Sequence, residues 1–309
     1  MIPNKRTVFF MIIYLLESLT IIVQSSLIVA VLSREWVQVK RLSPVDMILI
    51  SLGVCRFCLQ WSSVLYNFCS YFNPDNELWY IGVIWEFTNT LIFWLTSLLA
   101  IVYCVKVSSF TYAIFLWLRW RILRLIPRLL LGSLMISCVT IIASAIRHHL
   151  KSQLTSMMQL PGNNTETETL KTFLEKYYAS QHLAMLFIPF LLFLTATILL
   201  IASLSQHLRQ IRHHNAGHSK SSMKVHATAL KFFAFFLIYF TSYFLTIIIS
   251  TKYILGYKSS WFWAWETIIY ATVSIHLTSL MLSSSTLKKG LKVSCNGPKL
   301  PETLGTIRP

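Results

Sequence analysis

Charge is what this chain has least of. Only 12% of its 309 residues are Asp, Glu, Lys or Arg, about half the share of a soluble domain. So little charge cannot cover a globule with polar surface, and lipid is the natural solvent for such a chain. Aspartate occurs only at Asp46 and Asp75, and neither follows a histidine at the spacing acyltransferases use. Nine glycines leave few loops able to cradle a phosphate. No H-E-x-x-H, Walker-type glycine loop or serine elbow appears, so an enzyme is not expected and no cofactor is implied. The six cysteines are Cys55, Cys58, Cys69, Cys104, Cys138 and Cys295, and the long polar segment 147–181 holds none of them. A disulfide framework or a zinc site of paired short spacings is therefore not supported. Cys55-x-x-Cys58 falls inside an apolar helical pattern and reads as packing. The two halves share no repeat, which argues against an inverted-repeat transporter.

Apolar residues make up 55% of the chain and aromatics 14%, with a mean hydropathy of +0.60. A crossing of the hydrocarbon core takes about 20 largely apolar residues. Seven segments meet or approach that length: 8–32, 45–68, 81–105, 129–146, 182–204, 230–251 and 261–283. The expected fold is therefore all-α, a bundle of seven transmembrane helices over residues 1–285, followed by a cytoplasmic tail at 286–309. The first run follows Lys5 and Arg6 as a signal peptide would. It is too long for one, contains Glu17 and lacks a small-residue cleavage site, so it reads as the first span.

The formal net charge of +16 is spread in short clusters between the apolar runs. That distribution suits anionic lipid headgroups and cytoplasmic partners, not nucleic acid. An outside N-terminus places more than twice as many Lys and Arg in the inside segments as in the outside ones. The same orientation puts the sequon Asn163-Asn164-Thr165 in the longest outside loop, which makes Asn163 the expected glycosylation site. Two inside segments stand out. Residues 110–126 mix aromatics with Arg119, Arg121 and Arg124, and read as an amphipathic interfacial loop helix. Residues 207–226 are rich in His, Arg and Lys and read as a mobile, solvated basic loop, with metal binding by His213, His214 and His218 as the alternative.

Ionisable residues inside spans are costly and each asks for a reason. Glu17, Arg56, Glu86 and Glu266 qualify. Arg56 in the second span reads as a buried polar hub paired with a neighbouring helix; Glu17 belongs either to that network or to an outer pocket. Glu86 has distinctive company. On a helix, Glu86, Asn89, Thr90 and Phe93 share a side, with Trp85 and Trp94 beside them. A carboxylate and an amide serve hydroxyl groups, while flat aromatic faces cover the C–H face of a sugar ring. The alternative is an interfacial aromatic belt with a helix–helix hydrogen bond. His182 opens the fifth span at similar depth, Phe240 and Tyr243 lie on the sixth, and Trp261 and Trp265 begin the seventh.

Several stretches carry a family likeness. Leu49 to Gln60 (LISLGVCRFCLQ), Leu99 to Lys106 (LAIVYCVK) and Phe115 to Arg121 (FLWLRWR) resemble the type 2 taste receptors. So do Ser203-Leu204…His207 at the end of helix five and His226-Ala227-Thr228-Ala229-Leu230-Lys231 at the start of helix six. The likeness runs through nearly the whole chain. The stretch from Thr7 to Ile50 narrows it to members that respond to β-D-glucopyranosides such as salicin. The resemblance implies a plasma-membrane bitter receptor that couples to a gustducin-type G protein. It implies a ligand site of Trp85, Glu86, Asn89, Phe93, Trp94, His182, Phe240 and Trp261. Membrane lipids are further expected partners, and pairing with itself or a relative stays open. The sequence departs from the family at Ile21, Ser25, Leu277 and Ser284, so the polar network among helices one, two and seven is not carried over. The reading outside the receptor class is a multi-pass small-molecule transporter, with Arg56 and the buried glutamates on its path.

Overall fold

A peptide group in hydrocarbon has no water to bond, so an apolar run satisfies its N–H and C=O groups within its own helix. The computed structural model of the chain follows this rule throughout. It describes residues 4–39, 43–72, 79–107, 113–158, 164–214, 220–252, 260–283 and 287. The helices are α1 (Lys5–Val39), α2 (Pro44–Phe72), α3 (Trp79–Val107), α4 (Ala113–Met158), α5 (Asn164–His214), α6 (Lys220–Lys252) and α7 (Ser260–Ser283). No strand occurs among the described residues. Helices α1 to α6 are long and apolar enough to cross a membrane. The seventh has 24 residues and carries Glu266, His276 and several hydroxyls.

The helices close into a ring: α1 packs on α2 and α7, α5 on α6, and α6 on α7. Helix α3 touches α2, α4 and α5 and is the inner helix, buried almost continuously from Thr88 to Ala100. Outward faces are apolar as well. Leu16, Leu19 and Val23 of α1, Leu131, Met135 and Ile142 of α4, and Ile188 and Leu192 of α5 all point away from the bundle, as lipid contact requires and water would not.

Hydroxyls inside the spans are accommodated by donating back to a carbonyl one turn earlier, as Ser26 does to Ile22, Thr88 to Ile84 and Ser133 to Leu129. Longer polar side chains bridge helices. Asn67 on α2 donates to the hydroxyl of Tyr14 at 3.2 Å and to Glu266 at 3.3 Å. Gln60 reaches Ser18 at 2.7 Å, Tyr270 reaches Ser63 at 2.8 Å and Gln24 reaches Thr278 at 2.9 Å. These bonds tie α1, α2 and α7 together. Glu17 stands apart, with its Oε2 buried and lacking a hydrogen-bond partner among the described residues.

Three readings of the sequence change in detail. The interfacial segment 110–126 is not a separate loop helix: from Ala113 it continues without a break into α4, through Pro127. The basic stretch 207–226 is not chiefly a loop, since α5 runs to His214 and α6 begins at Lys220. The polar segment 147–181 is helical wherever it is described. In all three the residues favour helix formation, and polarity alone does not end a helix once it leaves the bilayer. Residue 163 and, apart from Leu287, the segment 286–309 lie outside the described residues. So does His218, the third histidine of the metal alternative.

Candidate ligand site

Two turns into α3, Glu86 turns toward α4. Its Oε1 pairs with the guanidinium of Arg147, and its Oε2 accepts from the hydroxyl of Ser144. Ser144 and Arg147 are three residues apart and so share a face of α4. Thr140 and Ala143 extend that face, while Tyr178, Gln181, His182 and Met185 bring one face of α5 opposite it. Together these residues enclose a cleft between α3, α4 and α5. Its free volume is about 20 Å³, room for a water or two.

One turn further along α3 the surroundings change. Asn89 is fully buried and accepts a hydrogen bond of 2.8 Å from the hydroxyl of Tyr243 on α6. Phe93, also fully buried, lies 4.8 Å from Phe240, 5.8 Å from Tyr243 and 6.0 Å from Phe244, ring centre to ring centre. Helix α5 adds Phe193, 4.4 Å from Phe240, and Phe190, stacked 4.1 Å from Phe244. The result is an aromatic floor shared by α3, α5 and α6. Rings at such separations gain more than their buried area alone supplies.

Sequence reasoning thus gathered residues that the fold arranges in two compartments. Glu86 and His182 line the cleft; Asn89, Phe93 and Phe240 form the floor. Trp85 is half-buried against the core, and its carbonyl accepts from Thr88 at 3.1 Å. Trp94 is half-buried with its indole Nε1 enclosed. Trp261 is not brought to this group: it starts α7 at 77% exposure, whereas Trp263 is fully buried against Tyr14, Phe68 and Tyr71. Two residues are 200° apart around a helix, so burying Trp263 turns Trp261 outward.

Three side chains of the expected set have a buried polar atom without a hydrogen-bond partner among the described residues: Asn89 Nδ2, Trp94 Nε1 and His182 Nε2. Buried polar atoms are normally paired, so such orphans are open positions for a ligand or ordered water; of the three residues, only His182 lines the cleft. Arg56 lies deeper. It is buried, bonds the hydroxyl of Tyr239 on α6 at 3.3 Å, and thereby links α2 to α6; Tyr239 stacks on His276 of α7 at 4.1 Å.

The motif reading missed the α4 side of the cleft and, apart from His182, the α5 side. A signal for α4 was available: Ser133, Ser137, Thr140 and Ser144 recur at intervals of three or four in an apolar run, and all four are buried. A hydroxyl stripe on a membrane helix marks the side that faces another helix. Arg147 extends that stripe by one further step.

A family model described as taste receptor protein (TAS2R) matches residues 1–296. Taste receptor type 2 member 16 of Pan troglodytes is 61% identical over 295 residues, which cover 96% of this chain and 100% of the relative. The protein of that name from Homo sapiens is 60% identical with the same coverage. Taste receptor type 2 member 134 of Rattus norvegicus is 40% identical over 293 residues, covering 94% of this chain and 88% of that one.

Proposed function

This chain belongs to the taste receptor (TAS2R) family, and we propose that within it the protein is a plasma-membrane receptor for bitter β-D-glucopyranosides of the salicin type, signalling through a gustducin-type G protein. Family membership makes it a multi-pass bitter taste receptor of seven helices, with small-molecule ligands and a G protein partner, and not an enzyme. It also sets the transporter alternative aside.

The observation that supports the glucoside reading is the cleft between α3, α4 and α5. It presents a carboxylate (Glu86), hydroxyls (Thr140, Ser144, Tyr178), an amide (Gln181) and an imidazole (His182) in the space of a few turns. Hydroxyls both donate and accept, so a sugar ring has partners on every side there. The aromatic floor formed by Phe93 and Phe240 suits the flat aglycone. With free space for only a water or two, the cleft must widen to admit a glucoside. The ligand then favours the wider arrangement and shifts the population toward it. In the orientation with the N-terminus outside, the cleft opens to the extracellular side, and the basic ends of α5 and α6 meet the G protein. Asn163 is glycosylated in this reading.

The test is calcium release on adding salicin to cells that express the chain with a gustducin-type G protein. A saturable signal absent from mock cells is expected, and Glu86→Ala should lose it while still reaching the surface. Silence of the wild-type chain despite surface expression would reject the glucoside reading.

A further inference from the structure

Arg56 is a buried cation with little to neutralise it. It is 7% exposed, and its hydrogen bond among the described residues is the 3.3 Å contact from Nη1 to the hydroxyl of Tyr239. A guanidinium has five N–H donors and a fixed charge. No carboxylate pairs with it among the described residues; the ion pair they hold is Glu86 with Arg147. The acids of the neighbouring helices stand at other levels. Glu17 and Glu35 lie eight and ten residues from Ser25 on α1, Asp46 ten from Arg56 on α2, and Glu266 ten from His276 on α7, each about 12–15 Å away along its axis. Helix α6 carries no acid. A charge left unpaired near the middle of a span is costly and calls for a partner.

Two further donors at this level lack an acceptor. His276 is 3% exposed, and neither of its ring nitrogens has a hydrogen-bond partner among the described residues. Its ring lies nearly parallel to those of Tyr239 at 4.1 Å and Phe236 at 5.0 Å. The stack on α6 therefore occupies the face of the imidazole and leaves the nitrogens at its edge open. His276 lies within electrostatic reach of Arg56. Ser25 is fully buried with its Oγ unpartnered, although Ser26 beside it donates back to Ile22.

Contacts at this level close a loop through α1, α2, α6 and α7. The carbonyl of Ser25 lies 3.5 Å from where a Cβ on Gly53 would sit, and Gly53 precedes Arg56 by one turn on the same face of α2. Arg56 bonds Tyr239, and Tyr239 stacks on His276. Thr278, two residues beyond His276, accepts from Gln24, the neighbour of Ser25. The loop thus gathers one fixed positive charge and two neutral donors. Gln24 Oε1 is also unpartnered, but an amide oxygen carries no charge to balance a guanidinium.

We propose that Arg56, His276 and Ser25 form a binding site for a small monovalent anion of the chloride class, held between α1, α2, α6 and α7. Arg56 supplies the charge, and the imidazole and hydroxyl supply hydrogen bonds. Water would satisfy the donors and leave the charge unbalanced. The site is separate from the cleft and stands whichever ligand the cleft takes.

Thermal unfolding of the purified wild-type receptor is followed while sodium chloride replaces sodium gluconate at constant ionic strength. The midpoint is expected to rise by roughly 2–4 °C and then level off as the site fills. Arg56→Gln should abolish the rise. Should that variant fail to fold, His276→Phe decides: it keeps a ring in the stack, removes both nitrogens, and should raise the half-maximal chloride concentration by on the order of three- to tenfold. Ser25→Ala serves in the same way if both larger changes fail. A midpoint that stays level as chloride replaces gluconate overturns the site and leaves Arg56 to water. A rise that never levels off, or that is the same in whichever variant folds, also overturns it, since a general salt effect needs none of these residues.

Discussion

The hydroxyl of Tyr243 on α6 donates to Oδ1 of Asn89 on α3 at 2.8 Å, so one partly buried hydrogen bond joins the inner helix to the helix across the aromatic floor. Tyr243→Phe leaves the Asn89 amide with neither of its polar atoms paired, since Nδ2 already lacks a partner among the described residues. The expected loss is about 1–3 kcal/mol of stability, seen as a lower thermal midpoint of the purified receptor. An unchanged midpoint would mean that water replaces the bond without cost.

Gly53 sets how closely α2 approaches α1. A Cβ at this position would sit 2.8 Å from Cγ2 of Val29 and 3.5 Å from the carbonyl of Ser25. Valine has little freedom to move aside. Gly53→Ala should cost about 1–3 kcal/mol through overpacking, and Gly53→Leu should abolish surface expression. Val29→Ala should rescue Gly53→Ala; if it does not, the close approach is not the constraint.

Arg56 has its hydrogen bond from α2 to α6 through the hydroxyl of Tyr239. In Tyr239→Phe a buried guanidinium loses that acceptor, which is expected to cost about 1.5–3 kcal/mol because the donor is charged. The ring and its stack on His276 remain, so packing is preserved and the loss reports the hydroxyl alone. Thermal unfolding compared with wild type measures it; equal midpoints would show that Arg56 is satisfied in another way.

Orientation and modification share one assay. An epitope at the N-terminus should be labelled on intact cells, and one at the C-terminus only after permeabilisation. Asn163→Gln should migrate faster on a gel, matching wild-type protein treated with a glycosidase. A wild-type band that the glycosidase leaves unmoved would show Asn163 to be bare.

The bundle could be read from the sequence because lipid imposes one rule on every span, and lengths of apolar run obey it directly. Element ends were less legible. Residues 110–126 look like a loop helix because Arg and Trp alternate there, yet the backbone continues from Ala113 into α4; side-chain polarity reports depth in the membrane, not where hydrogen bonding stops. The α3 half of the cleft could be found because Glu86 is a rare charge in an apolar run. Arg147 was hidden for the opposite reason. It stands at the edge of the fourth span among other polar residues, where a cation needs no explanation, and only the packing of α4 on α3 shows that its partner is Glu86. Trp261 illustrates the converse. The start of the seventh span invites Trp261 into a pocket, but Trp263, set 200° from it around the helix, is the residue that is buried, and Trp261 is left exposed.

Helix α5 is described without interruption from Asn164 to His214, 51 residues, roughly 75 Å of rod. Hydrocarbon occupies about 30 Å of that length. The stretch that lines the cleft, Tyr178 to Met185, and the region where the ring of His207 meets that of His226 at 5.2 Å are therefore parts of one beam. Pro189 lies between them, lacks a backbone N–H, and is braced by the hydroxyl of Ser97 at its carbonyl. It is the natural fulcrum. The arm from Pro189 to His182 is about 10 Å and the arm to His207 about 27 Å. A bend of roughly 10° at the proline would carry the far end on the order of 5 Å while the near end shifts less than half as far. On the proposed reading, a sugar wedged beside His182 would need only to part the helices slightly to move the far end of α5.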